Sequence, residues 1–246
     1  MINARFFLCA PRSYKGKITI YPPTMNDVVT NEGFGLFLKI LTYSQEEIED
    51  ELAEKNMLDG DIPNPFQFLM NNCKNIEGYE AIVKASFYFF CKTEITFLYD
   101  VNKILIGNVE KLLKDGVEVK DFVFLEEDDF FDFQNMLRES VAQKPVERPD
   151  PNEDPRVKRI KAKARYRDKI KAKQGSGIGM AASLTSICCM GLGINPLNVG
   201  EMSYVAFRAI MDMYQDKEKY DLDVKTILAG GDSKKIKPKY WIKNFD

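Results

Sequence analysis

The densest charge in the chain lies between Arg156 and Lys173, in the stretch PRVKRIKAKARYRDKIKAK that opens at Pro155. Ten cations (Arg156, Lys158, Arg159, Lys161, Lys163, Arg165, Arg167, Lys169, Lys171 and Lys173) stand against one acid, Asp168, in a protein whose net charge is −2. The chemistry open to such a run is anion binding. Two acidic groups oppose it: Glu46, Glu47, Glu49, Asp50, Glu51 and Glu54, then Glu126, Glu127, Asp128, Asp129 and Asp132. The first reads as the solvated face of a helix. The second could in principle attract Mg²⁺ or Ca²⁺, but it lacks the alternating spacing of a calcium loop and is interleaved with phenylalanines. It reads as carboxylates gathered at a helix start, where they meet the positive end of the dipole.

Histidine is absent. That excludes Ser-His and Cys-His nucleophile pairs and any metal site that needs imidazole. Gly177-x-Gly179-x-x-Ala182 has the form of a dinucleotide-binding turn, but such a turn must follow a strand, and here a basic helix precedes it. Gly175 and Gly177 read instead as a joint. The five cysteines (Cys9, Cys73, Cys91, Cys188, Cys189) are scattered, and adjacent Cys188 and Cys189 cannot readily bridge one another, so they read as reduced thiols. No catalytic residue, cofactor or metal is expected.

Three partners suit the basic run. Nucleic acid would give steeply salt-dependent binding, yet Tyr166 is its one aromatic and it carries no readout motif. A membrane would require Trp, Phe and Leu along one face, which the run lacks. Contact with acidic protein surface, in this chain or another, is the favoured reading. Val157, Ile160, Ala164 and Ile170 leave too thin an apolar stripe to bury much, and Lys158, Lys161 and Arg165 repel one another at helical spacing. An acidic neighbour would stabilise the helix.

The surrounding elements predict an α+β protein, predominantly helical. Residues 5–10 and 17–21 read as short strands ended by Pro22-Pro23. Thr24 caps a helix through Val29, Phe34–Leu41 forms another, and Ser44 with Glu47 makes a capping box for an acidic third. Helices follow Pro65 and Gly78. Residues 94–108 read as a hairpin, 109–113 as a short helix, Phe122 and Phe124 as an extended piece, and Glu126–Val141 as a helix. Pro145, Pro149, Pro151 and Pro155 mark a linker. The expected organisation is an N-terminal domain with short β-hairpins over 1–143, a linker over 144–155, the basic helix over 156–174 and a helical domain over 175–246. In the last part, 180–192 forms an apolar helix, Asn198 caps the next, Asp221 a third, and Gly230 ends it. The helices after Gly179 are the expected grip on a partner, through Met202, Tyr204, Phe207, Met211 and Trp241. No stretch is apolar enough to span a bilayer or to form a signal peptide, so a cytosolic location is expected.

The C-terminal third resembles tail assembly chaperones and related small tail-morphogenesis proteins of phages infecting Gram-positive bacteria. The residues concerned are NPLNVGEM (195–202), YDLDVKTILAGG (220–231) and WIKN (241–244), with ITIYPPTMNDVV (18–29) and TFLYDVNKILIGN (96–108) of similar character. The resemblance implies a non-enzymatic, mainly helical protein that binds the tape-measure protein and tail-tube subunits in the host cytoplasm. The basic helix has no place in that pattern. A structural role in the virion, as a tail or head-tail connector protein, and nucleic-acid binding through 156–173 stand as alternatives. Self-association and retention in the virion are left open.

Overall fold

The computed structural model describes residues 4–55, 62–148, 154, 156–157, 160–161, 164–165, 180–231 and 235–240. The chain is predominantly α-helical with two small antiparallel sheets, the α+β class that its sequence predicts. It opens with α1 (Ala4–Phe7), then β1 (Arg12–Tyr14) paired with β2 (Ile18–Ile20), Tyr14 opposite Ile18. The segment expected as a first strand is therefore α1, and the strand falls later. One residue of α1, Phe6, is buried, and a single helical turn inserts it into the core while Leu8 stays exposed.

Three helices follow: α2 (Met25–Thr30), α3 (Phe34–Thr42) and α4 (Gln45–Glu54). Thr24 and Asp27 form a capping box at α2, and Ser44 and Glu47 form one at α4. Next come α5 (Pro65–Asn75) and α6 (Tyr79–Cys91). Asn64 caps α5 ahead of Pro65, whose missing N–H costs nothing at that position. A three-stranded sheet is built from β3 (Ile95–Leu98), β4 (Lys103–Ile106) and β5 (Phe124–Leu125), in the order β3-β4-β5 with Phe97 opposite Ile104. Between β4 and β5 lies α7 (Val109–Lys114), and α8 (Glu127–Glu139) completes the part before the linker. The second hairpin and these helices stand where the sequence places them.

The main core is aromatic. Phe66, Phe87, Phe90, Phe130 and Phe133 are buried. Phe87 stacks on Phe133 at 5.4 Å, and Phe66 meets Phe130 edge-on at 5.4 Å. Burying each such ring contributes about 2–3 kcal/mol. Helix α8 also serves α3: Gln134 Nε2 donates to the carbonyls of Leu41 (2.9 Å) and Tyr43 (3.0 Å), and Arg138 donates to that of Thr42. These satisfy carbonyls that a helix end leaves unpaired.

After the linker, α9 (Met180–Cys189) is followed by a turn through Gly191 and Gly193, both at positive φ. The last helix, α10 (Tyr204–Leu228), runs unbroken for 25 residues, or about 37 Å. Two helices are expected here, capped by Asn198 and Asp221; there is one, capped by Ser203, whose Oγ accepts from Ala206 N at 3.0 Å. No Gly or Pro interrupts 204–228. Asp221 instead accepts from Lys217, four residues back, at 2.7 Å. Asn198 holds the preceding turn, accepting from Asn195 N at 2.8 Å. Gly230, at φ 94, follows the helix end as expected.

Residues 184–211 supply most of a second hydrophobic cluster, with Ile187, Val199 and Phe207 buried beside Met25, and the same segment also packs on the N-terminal part. Val205 joins the main cluster, and Tyr204 packs against Phe34 at 5.5 Å. Thr24 and Ser203 form a β-bridge, Met25 N donates to Met202 O (2.8 Å), and Tyr204 N donates to Pro23 O (2.9 Å).

Candidate interaction surfaces

Three surfaces carry the residues singled out by sequence: the basic run, the acidic helices opposing it, and the C-terminal helices.

Of the run's ten cations, Arg156, Lys161 and Arg165 lie among the described residues; Lys158, Arg159, Lys163, Arg167, Lys169, Lys171 and Lys173 lie outside them. Arg156, Val157, Ile160, Lys161, Ala164 and Arg165 are helical. Asp154 begins this helix, its Oδ1 accepting from Arg156 N at 2.7 Å. Of these six residues only Arg165 is not exposed. Its guanidinium reaches α4: Nε to Asp50 Oδ1 at 3.1 Å, one terminal nitrogen to Glu49 Oε2 at 2.9 Å, the other to Glu46 Oε1 at 3.3 Å. Glu46, Glu49 and Asp50 sit at i, i+3 and i+4, the spacing that brings side chains onto one face of a helix. The guanidinium of arginine serves the three acceptors from donors fixed in one plane, a pre-organised geometry that a lysine ammonium on its flexible stem lacks.

This corrects the reading of α4 as a solvated acidic face. Glu49 and Asp50 are buried, and only Glu46 of the three is open to water. Two carboxylates are buried here because a guanidinium lies on them; without it their desolvation would be uncompensated. Burial disfavours the charge on Arg165, but bonds from Asp50 and Glu49 outweigh it and hold the group above its ordinary pKa. Beside the contact is a cleft of about 540 Å³, lined among others by Leu38, Lys39, Glu47, Arg138 and Lys144.

The second acidic group is likewise engaged. Asp129, buried in the first turn of α8, accepts from Lys15 Nζ (3.0 Å), from Lys17 Nζ, and from Tyr14 Oη (3.3 Å). The turn between β1 and β2 presents both lysines, with Lys15 (φ 47) and Gly16 (φ 70) in the left-handed region where glycine is at ease. Burial pushes the Asp129 carboxyl up, but the two ammonium groups prevail and hold it below the usual carboxylate range. Asp132 takes Arg148 at 3.0 Å and Glu126 takes Lys103. Among the described residues no group of three or more Cys, Asp or Glu could hold a metal ion. All five cysteines are free thiols. Burial pushes Cys73 up to about 12 and raises Cys91 and Cys9, which leaves these three protonated and unreactive at neutral pH.

Of the residues expected as a C-terminal grip, Phe207 is buried and Met202, Tyr204 and Met211 are half-buried. Phe207 belongs to a second cluster with Met25, Ile187 and Val199, and Met202, Tyr204 and Met211 pack against it. The apolar face of α10's first turns packs on α2 and α9. Trp241, Gly175 and Gly177 lie outside the described residues. Tyr240, the neighbour of Trp241, meets Tyr220 of α10 edge-on at 5.8 Å.

Leu192 and Leu197 are exposed in the turn before α10, and the exposed apolar residues of α10 itself lie further along. From Asp212 onward no described residue of α10 is buried, and Leu222 and Leu228 are 64% and 81% exposed. Sequence reasoning missed this half because Asp221 read as a helix start. No helix of the described residues is long and apolar enough to cross a membrane. Comparison with known protein families, curated proteins and solved structures finds no match.

Proposed function

We propose that this protein is a non-catalytic phage tail assembly factor of chaperone type. It binds the tape-measure protein or tail-tube subunits in the host cytoplasm. The observation that carries the reading is the far half of α10, which leaves both hydrophobic clusters and holds Leu222 and Leu228 in water. That half coincides with 220–231, one of the segments with the tail-chaperone character. Two other such segments, 18–29 and 195–202, meet through Thr24, Met25 and Met202, next to the base of the same helix. A helix that offers exposed leucines on a firmly seated base suits helix-on-helix recognition of an elongated partner. A protein of this kind needs no cofactor and no activated nucleophile.

The test is co-expression of the full chain with tape-measure and tube proteins of a tailed phage, followed by affinity capture. Recovery of the tape-measure protein with this chain is expected. Its absence under conditions that keep both proteins soluble contradicts the reading.

A further inference from the structure

The cleft beside Arg165 is walled by α3, α4, the end of α8 and residues 143–146, and its lining residues all lie among the described ones. Its volume of about 540 Å³ falls within the range of small-molecule sites, roughly 300–1,000 Å³. Leu38, Pro145 and Val146 give it apolar surface. Gly35, in the first turn of α3, leaves one wall bare. Its φ is not in the left-handed region, and a methyl group added there would meet no atom within 4 Å. Neither conformation nor crowding calls for glycine at 35, where alanine is the better helix former. The short residue leaves room in the cleft.

Lys39, Arg138, Lys144 and Arg165 line the cleft together with Glu46, Glu47 and Asp50, so four cations against three carboxylates leave one positive charge. The carboxylates are already engaged. Glu46 and Asp50 accept from Arg165, and Glu47 accepts from Arg138 and from both Oγ and N of Ser44. The cations have capacity left. The side chain of Arg138 is 12% exposed, and its Nη2 serves Thr42 O and Glu47. Its Nε and Nη1 make no hydrogen bond with any described residue, and neither is sealed from solvent. Lys39 lies over the Tyr43 ring at 5.1 Å. Both Lys39 and Lys144 are exposed, and neither forms an ion pair among the described residues.

We propose that this cleft binds a small organic carboxylate with an apolar body. Guanidinium donors and ammonium groups suit a carboxylate head, which they bind more strongly than a neutral one. The apolar body lies against Leu38 and Val146, in the room left beside Gly35. A single negative charge matches the one positive charge that the lining leaves over, whereas a dianion would overshoot it next to Glu46 and Glu47. A cation would find each carboxylate already taken. Arg165 keeps its contacts with α4, and nothing has to move. The site is independent of the tail-assembly reading, because no residue of α10 lines it.

Calorimetric titration of the intact protein with three matched probes tests the site: phenylacetate, 2-phenylethanol and 2-phenylethylammonium. Phenylacetate is expected to bind with a Kd of about 1 mM or lower, the scale open to so small a ligand. It should bind at least ~10-fold more tightly than 2-phenylethanol, and 2-phenylethylammonium should not bind. No binding of phenylacetate at about 10 mM overturns the site, and equal affinity for the acid and the alcohol overturns the carboxylate. Gly35→Leu fills the cleft and should weaken phenylacetate at least ~10-fold. The variant K39Q/K144Q should weaken it ~5-fold and leave 2-phenylethanol unchanged. Its substituted residues are exposed, so it keeps the location testable should Gly35→Leu not fold. The control K111Q/K114Q removes the same charge from exposed positions on α7 that do not line the cleft, and should bind as the wild type does. Undiminished binding in K39Q/K144Q, or an equal loss in the control, overturns the assignment of the carboxylate to this cleft.

Discussion

The two halves of α10 share one backbone and have opposite fates. Over the first two turns Val205, Ala206, Phe207 and Ala209 are buried, and Ser203 ties the helix start to α1 by donating to Phe7 O at 2.8 Å. From Asp212 to Leu228 the same helix has half-exposed Tyr214, Val224 and Ile227, an exposed pair of leucines, and surface ion pairs such as Lys217–Asp221. A helix of this length is far longer than its own packing requires. Its first half is explained by the stability of the chain, and under the proposed function its second half is the surface for a partner. An apolar residue before Met211 is therefore a structural residue, and one after Asp212 is a candidate contact.

Substitutions break the comparison in order of size. Phe207→Ala removes the largest side chain of the second cluster and should destabilise the protein by about 3–5 kcal/mol, read by chemical denaturation. Asp129→Asn leaves Lys15 and Lys17 without their carboxylate and should cost about 1–3 kcal/mol. Its effect has a pH signature. The Asp129 carboxyl titrates lower in the folded protein than in the unfolded chain, so its stabilisation is present above the unfolded value near pH 4 and is lost as pH falls through the folded one. The wild type should lose stability over that acid range more steeply than the variant. Ser203→Ala removes both the cap and the bond to Phe7 and should cost about 1–2 kcal/mol. Leu222→Lys with Leu228→Lys should change stability by no more than about 0.5 kcal/mol, since neither side chain is covered. A loss above about 2 kcal/mol in that last pair would mean the far half packs on the body, and the distinction between the halves would fall.

What was legible in the sequence divides along the same line. The cap at Thr24, the capping box at Ser44, proline at the start of α5 and alternation in β3 and β4 are local signals, and each element they mark is present. The candidate surfaces depended on pairings distant in sequence. Arg165 and Asp50 are 115 residues apart, and nothing in the pattern of α4 reveals that two of its carboxylates are interior. Phe207 and Met211 lie on one apolar helix face, with Met202 packed in the same cluster; whether α2 and α9 or a partner covers such a face is decided only by tertiary packing. The strand expected at 5–10 failed because one buried phenylalanine suits a single helical turn as well as it suits a strand.

The most direct measurement is affinity capture of the co-expressed tape-measure protein on the wild-type chain and on the double variant Leu222→Lys, Leu228→Lys, with thermal unfolding of both proteins in parallel. The expected result is capture by the wild type and its loss in a variant whose unfolding is unchanged. Undiminished capture by the folded variant would contradict the assignment of α10's far half as the binding surface.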